Sequence, residues 1–307
     1  MGRIKLYEGD ITKADLGLGV NAASLKQETV EFYHFAAVYD LGVSREVGML
    51  VNVDGTRHTL NFAQECAQLK RYQYVSTCYV SGRYEGTFTE QDLEKGQRFN
   101  NYYEETKYLA EVEVQKAMEN GLPTTIYRPA IVTGNSKTGE TQKYDGPYYI
   151  LQWLLRQPKY AVLPVVGKPS KYTVNIVPSD FVIDAMDYLA AREESRNKVY
   201  QLCDPQALTV DQIMKAMARE TDRKIIRIPL PLGIAKGSLK YVPGVKKLMK
   251  IEPEAVNYFS HPTTYSGEQT QKDLEGSGIT CPHYDEYLDV LVDFMKEHPD
   301  ISSKAMT

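Results

Sequence analysis

Apolar and polar positions along the first half of the chain follow the rhythm of short strands separated by helices. Residues 3–7 alternate with a period of two, 29–35 read as a second strand, and 74–80 as a third, whose β-branched and apolar residues flank Ser76 and Thr77. Residues 12–28 are loop-like. From 45 to about 70, Val47, Leu50, Val51, Leu60, Ala63 and Ala67 recur mostly at helical spacing, which predicts one long helix. Asn52 is polar on the core-facing side of that helix and needs buried partners. A polar surface loop is expected over 87–98. The next helix runs from 102 to about 120, capped by Asn100 or Asn101 and stopped by Gly121. Residues 124–127 return as a strand, which Pro129 ends because it has no N–H for a ladder.

Beyond Gly134 the alternation loosens. An apolar helix at 150–155, strands at 161–166, 174–178 and 199–203, and a helix through Ala190 capped by Ser179 or Asp180 come first. Thr209 to Gln212 form a capping box for a helix ending near Thr221, followed by a strand at 225–228 and a helix over 284–294. The basic stretch at 236–250, with Lys246 and Lys247, reads as a solvated face. The pattern predicts an α/β protein with a boundary near 143, a main unit over 1–143 and a mixed lobe over 144–307. The strands at 174–178 and 199–203 are expected to return to the main sheet.

Composition narrows the function classes. With 42% hydrophobic and 25% charged residues in 307 positions, the chain has the make-up of a globular protein with a substantial core. A net charge of -4 supplies no basic footprint, so nucleic acid is not expected as a partner. Cys66, Cys78, Cys203 and Cys281 lack metal-ligand spacing and read as reduced thiols. The opening residues have no signal-peptide apolar region, and no apolar run is long enough to span a bilayer; a cytoplasmic location is the expectation.

Candidate chemistry centres on 72–107. Tyr103 and Lys107, four apart at a helix start, share one face, and Tyr-x-x-x-Lys occurs once in the chain. A phenol with an ordinary pKa of about 10 is a poor acid–base group near neutrality, and a neighbouring cation lowers it. Thr77 can then hold a carbonyl or alcohol oxygen while Tyr103 exchanges its proton. Two glycine motifs fail. Residues 17–22 match G-x-G-x-x-A but lead into a short polar segment, and 134–139 resemble a phosphate loop with Glu140 where the lysine belongs.

The ordered set Gly9-Asp10-Ile11, His34-Phe35-Ala36-Ala37, Val51-Asn52-Val53-Asp54-Gly55-Thr56, Val75-Ser76-Thr77, Tyr103 with Lys107, Tyr127-Arg128-Pro129 and Val177-Pro178-Ser179-Asp180-Phe181-Val182 resembles the extended short-chain dehydrogenase/reductase family. Within it, the resemblance is to the branch of NAD(P)-dependent epimerase/dehydratase proteins and of fatty acyl-CoA and thioester reductase domains. It implies a Rossmann-like doubly wound parallel sheet with a smaller C-terminal α/β substrate lobe, and NAD or NADP as cofactor. It makes Thr77 the hydroxyl that orients substrate, Tyr103 the acid–base, and Lys107 the residue that binds the nicotinamide ribose and tunes the phenol. Asp10 and Ile11 would flank adenine, Ala36 and Ala37 would line the cofactor, and Pro129 and Ile131 would lie beside the nicotinamide. Asn52 would support the strand ends, and Tyr148 and Tyr149 would contact substrate. The implied substrate is a carbonyl, an alcohol or an acyl thioester. A nucleotide-sugar epimerase or dehydratase, and a cofactor-free scaffold, are the alternatives.

One departure stands out. The family opens with a strand, a G-x-x-G-x-x-G turn, a helix and a second strand, whereas this sequence begins where the third strand is expected. The reading is therefore of an N-terminally incomplete sheet, by truncation or with a partner supplying the layer, and of weak cofactor affinity. Unpaired edges at 3–7 and 29–35 would admit a homodimer.

Overall fold

The computed structural model describes residues 4–231 and 253–302, with Gly233 and Gly237 between them. Residues 4–10 form no strand, and Ile4 and Leu6 are 88% and 90% exposed. Five alternating residues offer an apolar face, but no strand or layer among the described residues receives it. The stretch read as a loop contains short 3-10 turns and α1 (Ala22–Glu28), which seat Leu16 and Ala22 on Phe62 and Cys66. β1 (Glu31–His34) follows. The single long helix expected next is instead α2 (Arg45–Gly48), a π-helical segment Met49–Asp54 and α3 (Gly55–Gln64). A Cβ at Gly48 would lie 3.0 Å from Thr106 Cγ2, so glycine there permits close helix packing.

β2 (Arg71–Val75) runs into a 3-10 turn, Cys78–Ser81, then β3 (Gly86–Phe88) and α4 (Tyr102–Glu119). After β4 (Thr124–Pro129) and β5 (Ile131–Thr133) come α5 (Tyr148–Leu155), β6 (Tyr160–Val166), β7 (Ile176–Pro178) and α6 (Ser179–Ala190). The chain continues as β8 (Lys198–Leu202), α7 (Val210–Glu220) and β9 (Lys224–Leu230). A 3-10 segment Pro253–Ser260, β10 (Thr263–Tyr265), α8 (Glu268–Leu274) and α9 (Leu288–Glu297) complete it. The Lys246–Lys247 cluster lies outside the described residues.

The main sheet is parallel, in the order β1-β2-β4-β8, with Val75 opposite Tyr127 and Tyr127 opposite Tyr200. Alternation along each strand sends Tyr72, Tyr74 and Ile126 to one face, against Leu60, Ala63, Ala110 and Val114 of α3 and α4. Tyr127 and Tyr200 face the other way, against Ala185, Met186 and Leu189 of α6. Helices on both faces of a parallel sheet make this a doubly wound α/β fold. β1 is its outer strand among the described residues, with Tyr33 and Phe35 exposed and their rings stacked.

Of the two later strands expected to rejoin this sheet, β8 does and β7 pairs with β5. The polar segment 87–98 is no mere surface loop. β3 pairs in parallel with β10, which buries Phe88, Glu90 and Leu93. A second core joins α5, α7 and α9 around Leu151, Leu154, Met217, Leu288 and Leu291. Asn101 caps α4 and Thr209 builds the capping box of α7, as the residues predict. α6 has no side-chain cap: Asp180 instead accepts from the backbone and hydroxyl of Ser136, at 2.8 and 2.6 Å.

Candidate active site

The end of β2 presents two hydroxyls. Ser76 stays in register through its N–H to Tyr127 O (2.7 Å), and its hydroxyl donates to Glu111. Glu111 and Arg128 form an ion pair at 2.6 Å with both side chains fully buried, and Arg128 also donates to Asp92 O at 2.8 Å. This pair clamps β4 to α4 directly beneath the site. Thr77 is extended and caps the 3-10 turn; its hydroxyl accepts from Tyr79 N (3.3 Å) and donates to Pro129 O (3.4 Å).

Across from it, the first turn of α4 presents Tyr103. Both residues line one cavity of about 600 Å³ together with Ser76, Pro129, Ile131 and Tyr149. Its far wall is a single face of α7: Val210, Ile213, Met214 and Met217, at i, i+3, i+4 and i+7. Lys143 and Asp145, paired at 2.9 Å, lie in the same lining, and the Lys143 ammonium stands 5.1 Å from the ring centre of Tyr39. Tyr39 packs edge-on against Tyr103, with centroids 5.1 Å apart. Burial pushes the Tyr103 phenol well above its ordinary pKa, and the Thr77 hydroxyl opposes that rise. The arrangement offers a neutral proton donor and a hydroxyl to one oxygen atom, in a site walled by apolar groups.

Lys107 is held by the strand beneath it. Its ammonium is buried and donates to Val75 O (2.7 Å) and Tyr74 OH (3.1 Å), so its attention is on β2. Burial draws its pKa down to about 8, with Glu111 opposing. In place of the expected lowering by this cation the Tyr103 phenol rises: burial is the chief cause, the charges of Glu104 and Asp145 add to it, and the Thr77 hydroxyl opposes it. Asn52 finds the partners it needs. It accepts from Val38 N (2.8 Å) and donates to Val38 O (3.3 Å) and to Thr106 Oγ1 (3.0 Å), tying the loop after β1 to α4. Its place in a π-helical segment fits the frequent association of such segments with functional sites.

The remaining candidates divide. Asp10 makes a local turn: its carboxylate accepts from Thr12 N (2.9 Å) and Thr12 Oγ1 (2.6 Å), and that hydroxyl is the main reason its pKa is lowered. Ile11 is wedged against Gly55, and its carbonyl meets His58 Nδ1 at 2.9 Å. Ala36 and Ala37 are exposed. Tyr148 is 1% exposed and its hydroxyl accepts from Gly134 N at 2.8 Å, so it is a core residue outside the cavity lining, unlike Tyr149. Sequence reasoning missed the α7 face, whose apolar periodicity was the available signal, and also Tyr39, Lys143, Tyr258 and Phe259.

Comparison with known proteins adds the following. A family model of NAD-binding type, described as male sterility protein, matches residues 1–186. A linear gramicidin synthase of Brevibacillus parabrevis is 28% identical over 217 residues, 68% of this chain and 4% of that protein. Fatty acyl-CoA reductase wat of Drosophila melanogaster is 26% identical over 225 residues, 64% of this chain and 42% of that one. The chain therefore spans less than half the length of these two curated relatives. Among solved structures, the terminal R domain from the myxalamid PKS-NRPS biosynthetic pathway matches with a TM-score of 0.81 and 26% identity, over 95% of this chain and 74% of that one.

Proposed function

The chain belongs to the male sterility protein family of NAD-binding domains, and on that premise we propose that it exchanges hydride between NAD or NADP and the carbonyl carbon of an acyl thioester or aldehyde. The observation that carries the reading is the convergence of Thr77 and Tyr103, from separate elements, on one cavity beside Pro129 and Ile131.

The residues present fit the nicotinamide end of the cofactor. Val75, Pro129 and Ile131 supply an apolar wall for a flat ring. Lys107 donates two hydrogen bonds to β2, and an ammonium has three donors, which leaves one for a ribose hydroxyl. Tyr103, Lys107, Pro129 and Ile131 would hold this end, with Ala36 and Ala37 small enough for close approach along the exposed loop after β1. When bound, the cofactor supplies or takes up the hydride.

Every other step falls to the chain's own groups. The Thr77 hydroxyl fixes the substrate oxygen, and Tyr103 donates its proton to that oxygen as the carbonyl is reduced. An aldehyde thereby becomes the alcohol. A thioester becomes a hemithioacetal whose C–S bond then breaks, the hydroxyl proton passing to the departing sulfur to give aldehyde and free thiol. Burial keeps the phenol protonated at neutral pH, the state a proton donor requires. Ile213, Met214, Met217 and Phe259 exclude water and give an apolar substituent a surface to lie on.

The test is a fluorescence titration with NADH and NADPH, followed by turnover assays on acyl thioesters, aldehydes and nucleotide sugars. Saturable binding to wild type and Tyr103→Phe, with turnover of the first two substrate classes by wild type alone, is expected. Failure to bind either cofactor at millimolar concentration overturns the reading.

A further inference from the structure

The first turn of α4 carries a second unusual residue beside Tyr103. Glu104 is fully buried, and its carboxylate accepts from Asn100 N (2.8 Å), from Asn100 Nδ2 (3.0 and 3.1 Å) and from the Tyr258 hydroxyl (2.8 Å). All of these partners are donors. A carboxylate is acceptor-only, whereas a glutamine in either orientation would turn an NH₂ toward one of them.

The Tyr258 hydroxyl itself accepts from Asn101 Nδ2 at 3.2 Å, which commits its own proton to Glu104. Asn101 is the residue whose Oδ1 caps α4, accepting from Glu104 N at 2.9 Å. Arg83 adds a second tie, donating to Asn100 Oδ1 (3.1 Å) and to Ser260 O (3.2 Å). Two points of the segment 257–260 are thereby fastened to the turn that presents Tyr103.

What the segment carries gives these bonds a consequence. Tyr258 and Phe259 line the same cavity as Thr77 and Tyr103. The Tyr258 ring also meets Tyr79, two residues beyond Thr77, edge-on at 4.8 Å and 87°. We propose that Glu104 is a positioning residue, whose bond to Tyr258 latches the wall 257–260 onto the start of α4 and so sets the substrate side of the cavity. The effect on turnover rests on the proposed reductase function; the latch does not.

The decisive variant is Tyr258→Phe, which removes the hydroxyl with its bond to Glu104 and the weaker one it accepts from Asn101, and leaves Glu104 its bonds from Asn100. Glu104→Gln, which sets donor against donor in a buried site, is the harsher companion. Hydrogen–deuterium exchange on the full chain is expected to rise at least about tenfold in peptides covering 257–262 of Tyr258→Phe, most of it from the lost bond to the charged Glu104, with β2 and β4 unchanged. The KM for substrate should rise about tenfold with kcat nearly constant, and Glu104→Gln with Tyr258→Phe should be no worse than the worse single variant. Unchanged exchange over 257–262, or effects that multiply in the double variant, overturn the latch. If wild type turns over no substrate, the reductase reading fails and the exchange result still decides the latch.

Discussion

Removing Glu111 should damage the chain more than removing Glu111 and Arg128 together. The guanidinium donates to Glu111 through Nε (3.0 and 3.2 Å) and Nη2 (2.6 Å), and both side chains are 0% exposed. Glu111→Gln leaves a cation sealed in the interior without a counter-ion, with one neutral amide oxygen, the carbonyls of Thr89 and Asp92 and the Phe88 ring for company. Breaking one partner of such a pair costs about 3–5 kcal/mol, a large share of a stability of about 5–15 kcal/mol. With a urea m-value near the top of the usual range, about 3 kcal/mol/M, the midpoint falls by about 1–2 M. Glu111→Leu with Arg128→Met removes both charges and leaves the buried Ser76 hydroxyl without its partner, at about 1–3 kcal/mol, while the half-buried carbonyls of Thr89 and Asp92 lose a donor. Urea unfolding of wild type, Glu111→Leu, Arg128→Met and the double closes the cycle and measures the coupling, expected to exceed about 2 kcal/mol. A Glu111→Gln loss below about 1 kcal/mol, or a double variant as unstable as the two singles combined, would refute the view of this pair as a desolvated clamp.

Other predictions follow from single sites. Because burial places the Lys107 pKa near 8, a rate that needs its ammonium falls as pH rises through about 8, and permanently charged Lys107→Arg loses that limb of the kcat profile. The linked stability has the opposite sign: the folded chain releases this proton at lower pH than the unfolded chain, so the contribution of this group to stability, read as urea midpoints, rises between pH 8 and the ordinary lysine value of 10.5. Asn52→Ala strands Val38 N–H and frees the loop from α4, at about 1–3 kcal/mol, and limited proteolysis should then cut within 35–44 first. Met217→Ala lowers stability by about 2–5 kcal/mol and, by deepening the cavity, raises kcat/KM for longer apolar acyl chains relative to short ones, which a chain-length series reads directly.

The parts of the fold legible in the sequence were those that local physics decides. Asn101 caps α4 because an Asn before a helix has a backbone N–H to accept, and Thr77 follows β2 because β-branched and apolar residues carry the chain to it. Parallel strands with intervening helices followed from the same periodicity. What escaped depends on partners distant in sequence. Phe88 and Glu90 are buried because β3 pairs with β10, which no local pattern announces. Lys107 shares a helix face with Tyr103, yet the strand beneath it offers Val75 O and Tyr74 OH, and those bonds decide where the ammonium goes. The i, i+3, i+4, i+7 face of α7 was visible as a pattern, but that it lines a cavity with Thr77 is a property of the tertiary arrangement. Asp10 shows the reverse: a carboxylate expected beside the cofactor whose own turn satisfies it first, with no strand before it among the described residues.

The proposed chemistry stands on Thr77 and Tyr103 handling one substrate oxygen. Its sharpest test is single-turnover hydride transfer from NADH or NADPH to an aldehyde, in wild type, Thr77→Ala, Tyr103→Phe and the double variant, with cofactor affinity measured in each. Tyr103→Phe is expected to slow transfer by about 10²–10⁴-fold while cofactor affinity falls by no more than about tenfold, the share of one hydrogen bond, and the double variant to be scarcely slower than Tyr103→Phe. A Tyr103→Phe chain that transfers hydride at the wild-type rate would rule that chemistry out.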